Sequence, residues 1–319
     1  MADPSPSPST LLEAHGLVRT YGPLRAVDGI DLTLSAGEVL GLLGPNGAGK
    51  STTMRLLTGT LAADAGTVHI DGIDLFEQPR AARARLGYLP ETPPLYPDLT
   101  VDEYLRFCAG LHGVVRHHRA EAVARARRRC GLDAVARRLI GQLSKGYRQR
   151  VGIAQAILHR PAVVILDEPT VGLDPLQIRA IRELIRELGG DHGVILSTHI
   201  LPEVQSTCDR VLILDRGRPR LCEPLTVLEQ RMTGQRLRLG LRQTVPTEAL
   251  LAIKGVDAVE ALADGRWQLD YHDPATPERL ADHAVHQGWG LQELSPERQS
   301  LESIFVDLLS DEPEAEPTP

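Results

Sequence analysis

The sequence predicts an α/β fold around a mainly parallel sheet, followed by a small α+β appendage. Three observations carry this. Four short apolar runs, at 38–43 (EVLGLL), 162–166 (AVVIL), 193–197 (GVILS) and 210–214 (RVLIL), have the length and composition of strands buried on both faces. An amphipathic helical pattern at 176–188 lies between the second and third of them, and alternation of strand and helix implies a parallel sheet with helices on its faces. The first run leads through a glycine-rich loop into a helix expected over 50–58.

The elements follow in order. Residues 1–10 (MADPSPSPST) have no basic region followed by an apolar run, so they read as a short disordered arm and not a signal peptide. Alternation over 11–34 suggests short strands joined by glycine turns, and it returns at 66–75 around Asp71-Gly72. Between 96 and 158 Ala, Arg, Leu and Glu dominate with helical spacing. Thr100 followed by Glu103 is a capping-box pair, and a helical subdomain is expected over about 92–158. Near 231–235 the pattern shifts again. RLRLGL, RWQLDY and a helical run at 277–287 predict an α+β accessory domain at 235–310 behind a main domain at 11–234. The acidic, proline-rich 311–319 reads as a disordered tail.

Composition narrows the function. Hydrophobic residues make up 42% and charged residues 24%, the profile of a soluble globular protein. Aromatics are only 3%, so the core must be aliphatic. A net charge of -7 argues against a general nucleic-acid binder. Cys108, Cys130, Cys208 and Cys222 form no CxxC pair and read as reduced thiols. No apolar stretch is long enough to span a bilayer, so a transport role would place the pore in another chain.

Two motifs carry chemistry. Residues 44–52 fit GxxxxGK[ST] in full. Gly44, Asn46, Gly47 and Gly49 let successive backbone N–H groups cradle a β-phosphate, and Thr52 follows in the first helical turn. Lys50 supplies an ammonium to the β- and γ-phosphates, and Ser51 supplies a hydroxyl to Mg²⁺. The second expected strand ends in Asp167 and Glu168: Asp167 can serve the metal, and Glu168 is the candidate general base for an attacking water.

Further motifs select among phosphate-loop proteins. Residues 143–150 (LSKGYRQR) resemble the signature motif of ABC ATPases, and Gly172-Leu173-Asp174-Pro175 looks like their D-loop. Ser197-Thr198-His199 looks like the switch-histidine motif, and Tyr21 stands where the family places an aromatic that stacks on adenine. The resemblance covers roughly residues 11–230. It implies a P-loop NTPase ABC cassette with a mainly parallel core, an antiparallel β subdomain and a helical subdomain.

It also implies that ATP and Mg²⁺ bind, and that two copies of the chain sandwich two nucleotides head to tail. Ser144 and the Gly146 backbone would then reach the γ-phosphate held by the partner, beside Asp174, while His199 contacts the γ-phosphate held by its own chain. Glu91, in GYLPE, stands where the family usually has Gln. It can bind Mg²⁺ or orient water through an oxygen but, when ionised, donates no hydrogen bond. GYLPE, LSKGYRQR and the LExxF-like ending at 300–309 resemble the bacterial exporter subgroup of gliding-motility, natural-product-resistance and copper-processing ATPases. The expected protein is an ATPase on the cytoplasmic face of the inner membrane, peripheral to an integral membrane permease. A soluble non-transport ABC ATPase and a regulatory ATP-binding module are the alternatives.

Overall fold

The chain begins with two long strands, β1 (Thr10–Tyr21) and β2 (Leu24–Ser35), turned at Gly22, whose φ is 57°. The five residues of β3 (Val39–Leu43) are all buried, and a loop at 44–49 leads from it into α1 (Lys50–Leu57). Strands β4 (Ala65–Ile70) and β5 (Ile73–Asp74) form a hairpin through Asp71 and Gly72, both at positive φ (50° and 74°). A short helix, α2 (Pro79–Arg83), precedes β6 (Leu86–Leu89).

The insert follows as α3 (Val101–Leu111), α4 (Arg119–Arg129) and α5 (Lys145–Ile157). Helix α3 starts at a reciprocal box: Glu103 N–H donates to Thr100 Oγ1 at 3.3 Å, and Thr100 N–H donates to Glu103 Oε2 at 2.8 Å. Next come β7 (Val163–Asp167), α6 (Pro175–Gly189), β8 (Gly193–Thr198), α7 (Leu201–Thr207), β9 (Arg210–Asp215) and β10 (Arg218–Pro224).

These strands make two sheets. One is antiparallel, in the order β2-β1-β4-β5. The other runs β10-β9-β3-β8-β7-β6, parallel except for the antiparallel edge strand β10. Side-chain parity sorts the two faces of the larger sheet. Val163 and Ile165 of β7 join Leu40, Leu42, Met54 and the antiparallel sheet in one aliphatic core. Val164 and Leu166 join the insert helices and α6 in another. Parallel pairing aligns the carboxyl ends of β3, β7 and β8 on one edge, where ligands of such sheets gather.

The computed structural model describes residues 9–232, 236–262, 264–296 and 305. It divides into two units, Met1–Leu225 and Thr226–Pro319. The second holds most of α8 (Leu225–Met232), then β11 (Arg236–Leu241), α9 (Thr247–Leu251), β12 (Val256–Ala261), β13 (Trp267–Tyr271), α10 (Thr276–His286) and β14 (Leu291–Pro296). Its antiparallel sheet has the order β12-β13-β11-β14, the arrangement of a split βαβ motif. Leu237, Leu239, Trp267 and Leu269 pack with Leu250, Leu280 and Ala284 of the helices. Among the described residues no helix is long and apolar enough to cross a membrane, and all four cysteines are free thiols. The expected arm, apart from its last two residues, lies outside the described residues. So do the 311–319 tail and the LExxF-like ending, except Phe305.

Candidate functional site

The loop between β3 and α1 is shaped by its glycines. A Cβ on Gly44 would collide with the Leu214 carbonyl, and one on Gly49, whose φ is 100°, with the Ala26 carbonyl. Gly47 has open space around it but sits at φ 83°, where an L side chain is strained. Lys50 is only 6% exposed. Its ammonium folds back over the loop, donating to the carbonyls of Gly44 at 2.8 Å and Pro45 at 3.2 Å. Helix α1 starts here, so its free N–H groups and dipole face the same space.

The end of β7 supplies the acids. Asp167 is buried and accepts from Ser197 Oγ at 2.5 Å. That same Ser197 oxygen accepts from the Glu168 amide at 3.0 Å, so one hydroxyl ties β7 to β8 twice. Glu168 has φ 47°, a left-handed backbone that non-glycine residues seldom adopt and that recurs at working sites. Its carboxylate is 3.8 Å from Lys50 Nζ, and both its oxygens are 3.0 Å from His199 Nδ1. Cation, carboxylate and imidazole thus form a row across the strand ends. Nearby, the Tyr88 phenol is pushed up to about 12 by burial and by the Asp167 charge.

A cleft of about 560 Å³ collects most of the expected residues: Tyr21, Asn46, Gly47, Gly49, Lys50, Ser51, Thr52, Glu91, Glu168 and His199. Tyr21 is 41% exposed, with the Arg19 guanidinium 5.2 Å from its ring centroid. Leu24, Ala26 and Val171 also line the cleft. These three had no signal in the sequence, because only the fold brings the β1–β2 turn and the segment after Glu168 to the loop. Gly44 and Asp167 are not in the cleft lining; the Gly44 carbonyl accepts from Lys50 and Asp167 accepts from Ser197. Ser51 and the carboxylates offer only oxygen donors, the set a hard cation such as Mg²⁺ takes when phosphate and water complete its shell.

Ser144, Gly146 and Asp174 do not line this cleft. Ser144 is exposed and caps α5, accepting from the Tyr147 amide at 3.4 Å. Asp174 is exposed and caps α6, accepting from the Gln177 amide at 2.9 Å. Gly146 is buried, and a Cβ there would lie 2.6 Å from Gln177 Cδ, so the starts of α5 and α6 pack closely.

Residues 27–171 match the family described as ABC transporter. The sequence is 35% identical over 299 residues to the uncharacterised ABC transporter ATP-binding protein YdbJ of Bacillus subtilis, covering 93% of this chain and 94% of that one. It is 31% identical over 306 residues to the linearmycin resistance ATP-binding protein LnrL of the same organism, covering 93% and 98%. A dimeric ATP-binding cassette, solved in a post-hydrolysis state with ADP and Pi, aligns at TM-score 0.60 and 25% identity, over 67% of this chain and 99% of that one.

Proposed function

The chain belongs to the ABC transporter ATP-binding protein family, and from that premise we propose that it hydrolyses Mg·ATP as one of two copies driving export through a separate membrane permease. The observation that carries the reading is the row of Lys50, Glu168 and His199 across the ends of the parallel strands. Adenine stacks on Tyr21. The loop amides and the start of α1 hold the phosphates, with Lys50 turning from its own carbonyls to the β- and γ-oxygens. Ser51, Asp167 and Glu91 would hold Mg²⁺, which offsets phosphate charge. A water oxygen attacks the γ-phosphorus in line and gives its proton to Glu168. The bond from that phosphorus to the ADP oxygen breaks, and phosphate leaves. His199 fixes the direction of the Glu168 carboxylate and touches the γ-phosphate.

Ser144, Gly146 and Asp174 act on the partner's nucleotide. The exposed start of α5, capped by the neutral Ser144 hydroxyl, favours an anion brought from outside. The two nucleotides then bridge the copies head to tail, and loss of the γ-phosphate releases them. The dimeric cassette with ADP and Pi supports this arrangement, and the resistance role in LnrL's name supports export. The protein sits peripherally on the cytoplasmic face of the plasma membrane and takes no nucleic acid.

Glu168→Gln tests the reading. Hydrolysis should stop while ATP affinity persists, and ATP should convert the variant to a stable dimer on size exclusion. Wild-type turnover, or a protein that stays monomeric with ATP, would rule it out.

A further inference from the structure

Behind His199 lies a buried charge with no part in the chemistry above. Glu203, on α7, is 1% exposed. Its Oε2 accepts from Thr198 Oγ1 at 2.8 Å, and that hydroxyl accepts from the Ile200 amide at 3.0 Å. One carboxylate therefore pins the residues on both sides of His199. The other oxygen, Oε1, faces an Arg182 guanidinium nitrogen at 3.5 Å. Oε1 makes no hydrogen bond, and neither does Arg182 Nε, among the described residues. Arg182 stands on α6, eight positions beyond the exposed Asp174 cap, a rise of about 12 Å along the helix.

A carboxylate taken fully out of water is costly unless it is paired, and an apolar side chain would fill the same space without that cost. Here the pairing is incomplete. A guanidinium and a carboxylate oxygen face each other just beyond hydrogen-bond length, each with an unmade bond, so a small movement of α6 would change how firmly Glu203 is held.

We propose that Glu203 is a positioning residue: it sets the 198–200 turn so that His199 stays in register with Glu168, and Arg182 ties that register to α6. A copy docking on the Asp174 end of α6 would then act on the histidine from behind. The inference rests on the reading of Glu168 and His199 as the hydrolytic pair.

Thr198→Val, close in volume but lacking the hydroxyl, is the sharpest test in the full chain. Its kcat should fall about tenfold, with ATP affinity and KM within about twofold of wild type, because misdirected groups slow chemistry more than binding. Thr198→Ser should restore kcat to within about twofold. Glu203→Gln avoids an unpaired buried charge, keeps an oxygen for Thr198 and weakens the Arg182 attraction. It should lower kcat severalfold with a cooperative melt intact. Wild-type kcat in Thr198→Val, equal losses in the Val and Ser variants, or ATP affinity falling in step with kcat would each overturn the proposal. The premise is separable: an active Glu168→Gln variant would undo the reading of the site itself. An inactive one beside a fully active Thr198→Val would undo only the positioning role.

Discussion

The two regions expected to touch nucleotide are built in opposite ways. Around the 44–52 loop the charges are closed on one another: Lys50 is buried against two carbonyls and faces Glu168, which faces His199. At the starts of α5 and α6 the polar groups face outward, and Ser144 and Asp174 bond only their own helices. The first region brings a carboxylate, an imidazole and a cation together. The second has exposed helix N-termini and no acid–base pair. A cleft that is chemically equipped and a surface that is only receptive are complementary halves, and identical copies can supply each to the other.

The comparison breaks most readily at Lys50. Lys50→Ala should cut hydrolysis by about 10²–10³-fold and weaken ATP binding in the isolated chain, since a preorganised charge on the phosphates is lost. Filter binding and phosphate release would check both. Ser144→Arg should leave single-chain ATP binding intact while hydrolysis falls by an order of magnitude or more. Mixing the two inactive variants sharpens the point. A mixed dimer has one site damaged twice and one untouched, so activity should reappear on mixing. Continued silence would mean that Ser144 serves its own chain's nucleotide or none.

A smaller effect separates loss of fold from loss of chemistry. His159 stacks on His112 with centroids 4.0 Å apart, and burial, aided by His112, lowers it to about 4. The unfolded chain takes up this proton near its ordinary 6.5, so the folded form is favoured in full above that pH. The advantage shrinks as pH falls from about 6.5 towards 4 and amounts to at most about 3 kcal/mol. Thermal melts over this range should show the decline, and His159→Leu should lessen it, the remainder coming from His112 and His192, which burial also lowers. Hydrolysis that falls in acid with the melt reports folding. A fall at a pH where the melt is unchanged reports chemistry.

Local signals in the sequence carried much of this. The apolar runs became β3, β7, β8 and β9 because a strand buried on both faces needs no partner to be recognised. Asp71-Gly72 turned a hairpin, and Thr100 with Glu103 capped α3, since both depend on neighbours within a few residues. Long-range choices were not legible. Ser197 reads as part of a motif, but its two hydrogen bonds, one donated to Asp167 and one accepted from the Glu168 amide, exist only once β7 and β8 pair. Glu203 looks like any helical acid until α6 covers it. Strand β12 (VDAVEA) carries two acids among six residues and strand β14 (LQELSP) ends in proline, so neither announced itself. Their places follow from pairing with β13 and β11.

The split βαβ sheet of the second unit leaves β12 and β14 at its edges. An edge strand is a template on which another chain can add. Strand β12 answers with two exposed acids, Asp257 and Glu260, set among small apolar residues. Two such edges approaching each other would bring like charges together, which disfavours strand-to-strand addition and the fibrous aggregates it seeds. A chain proposed to work as two copies has to avoid pairing through this edge, and two acids on it oppose such pairing.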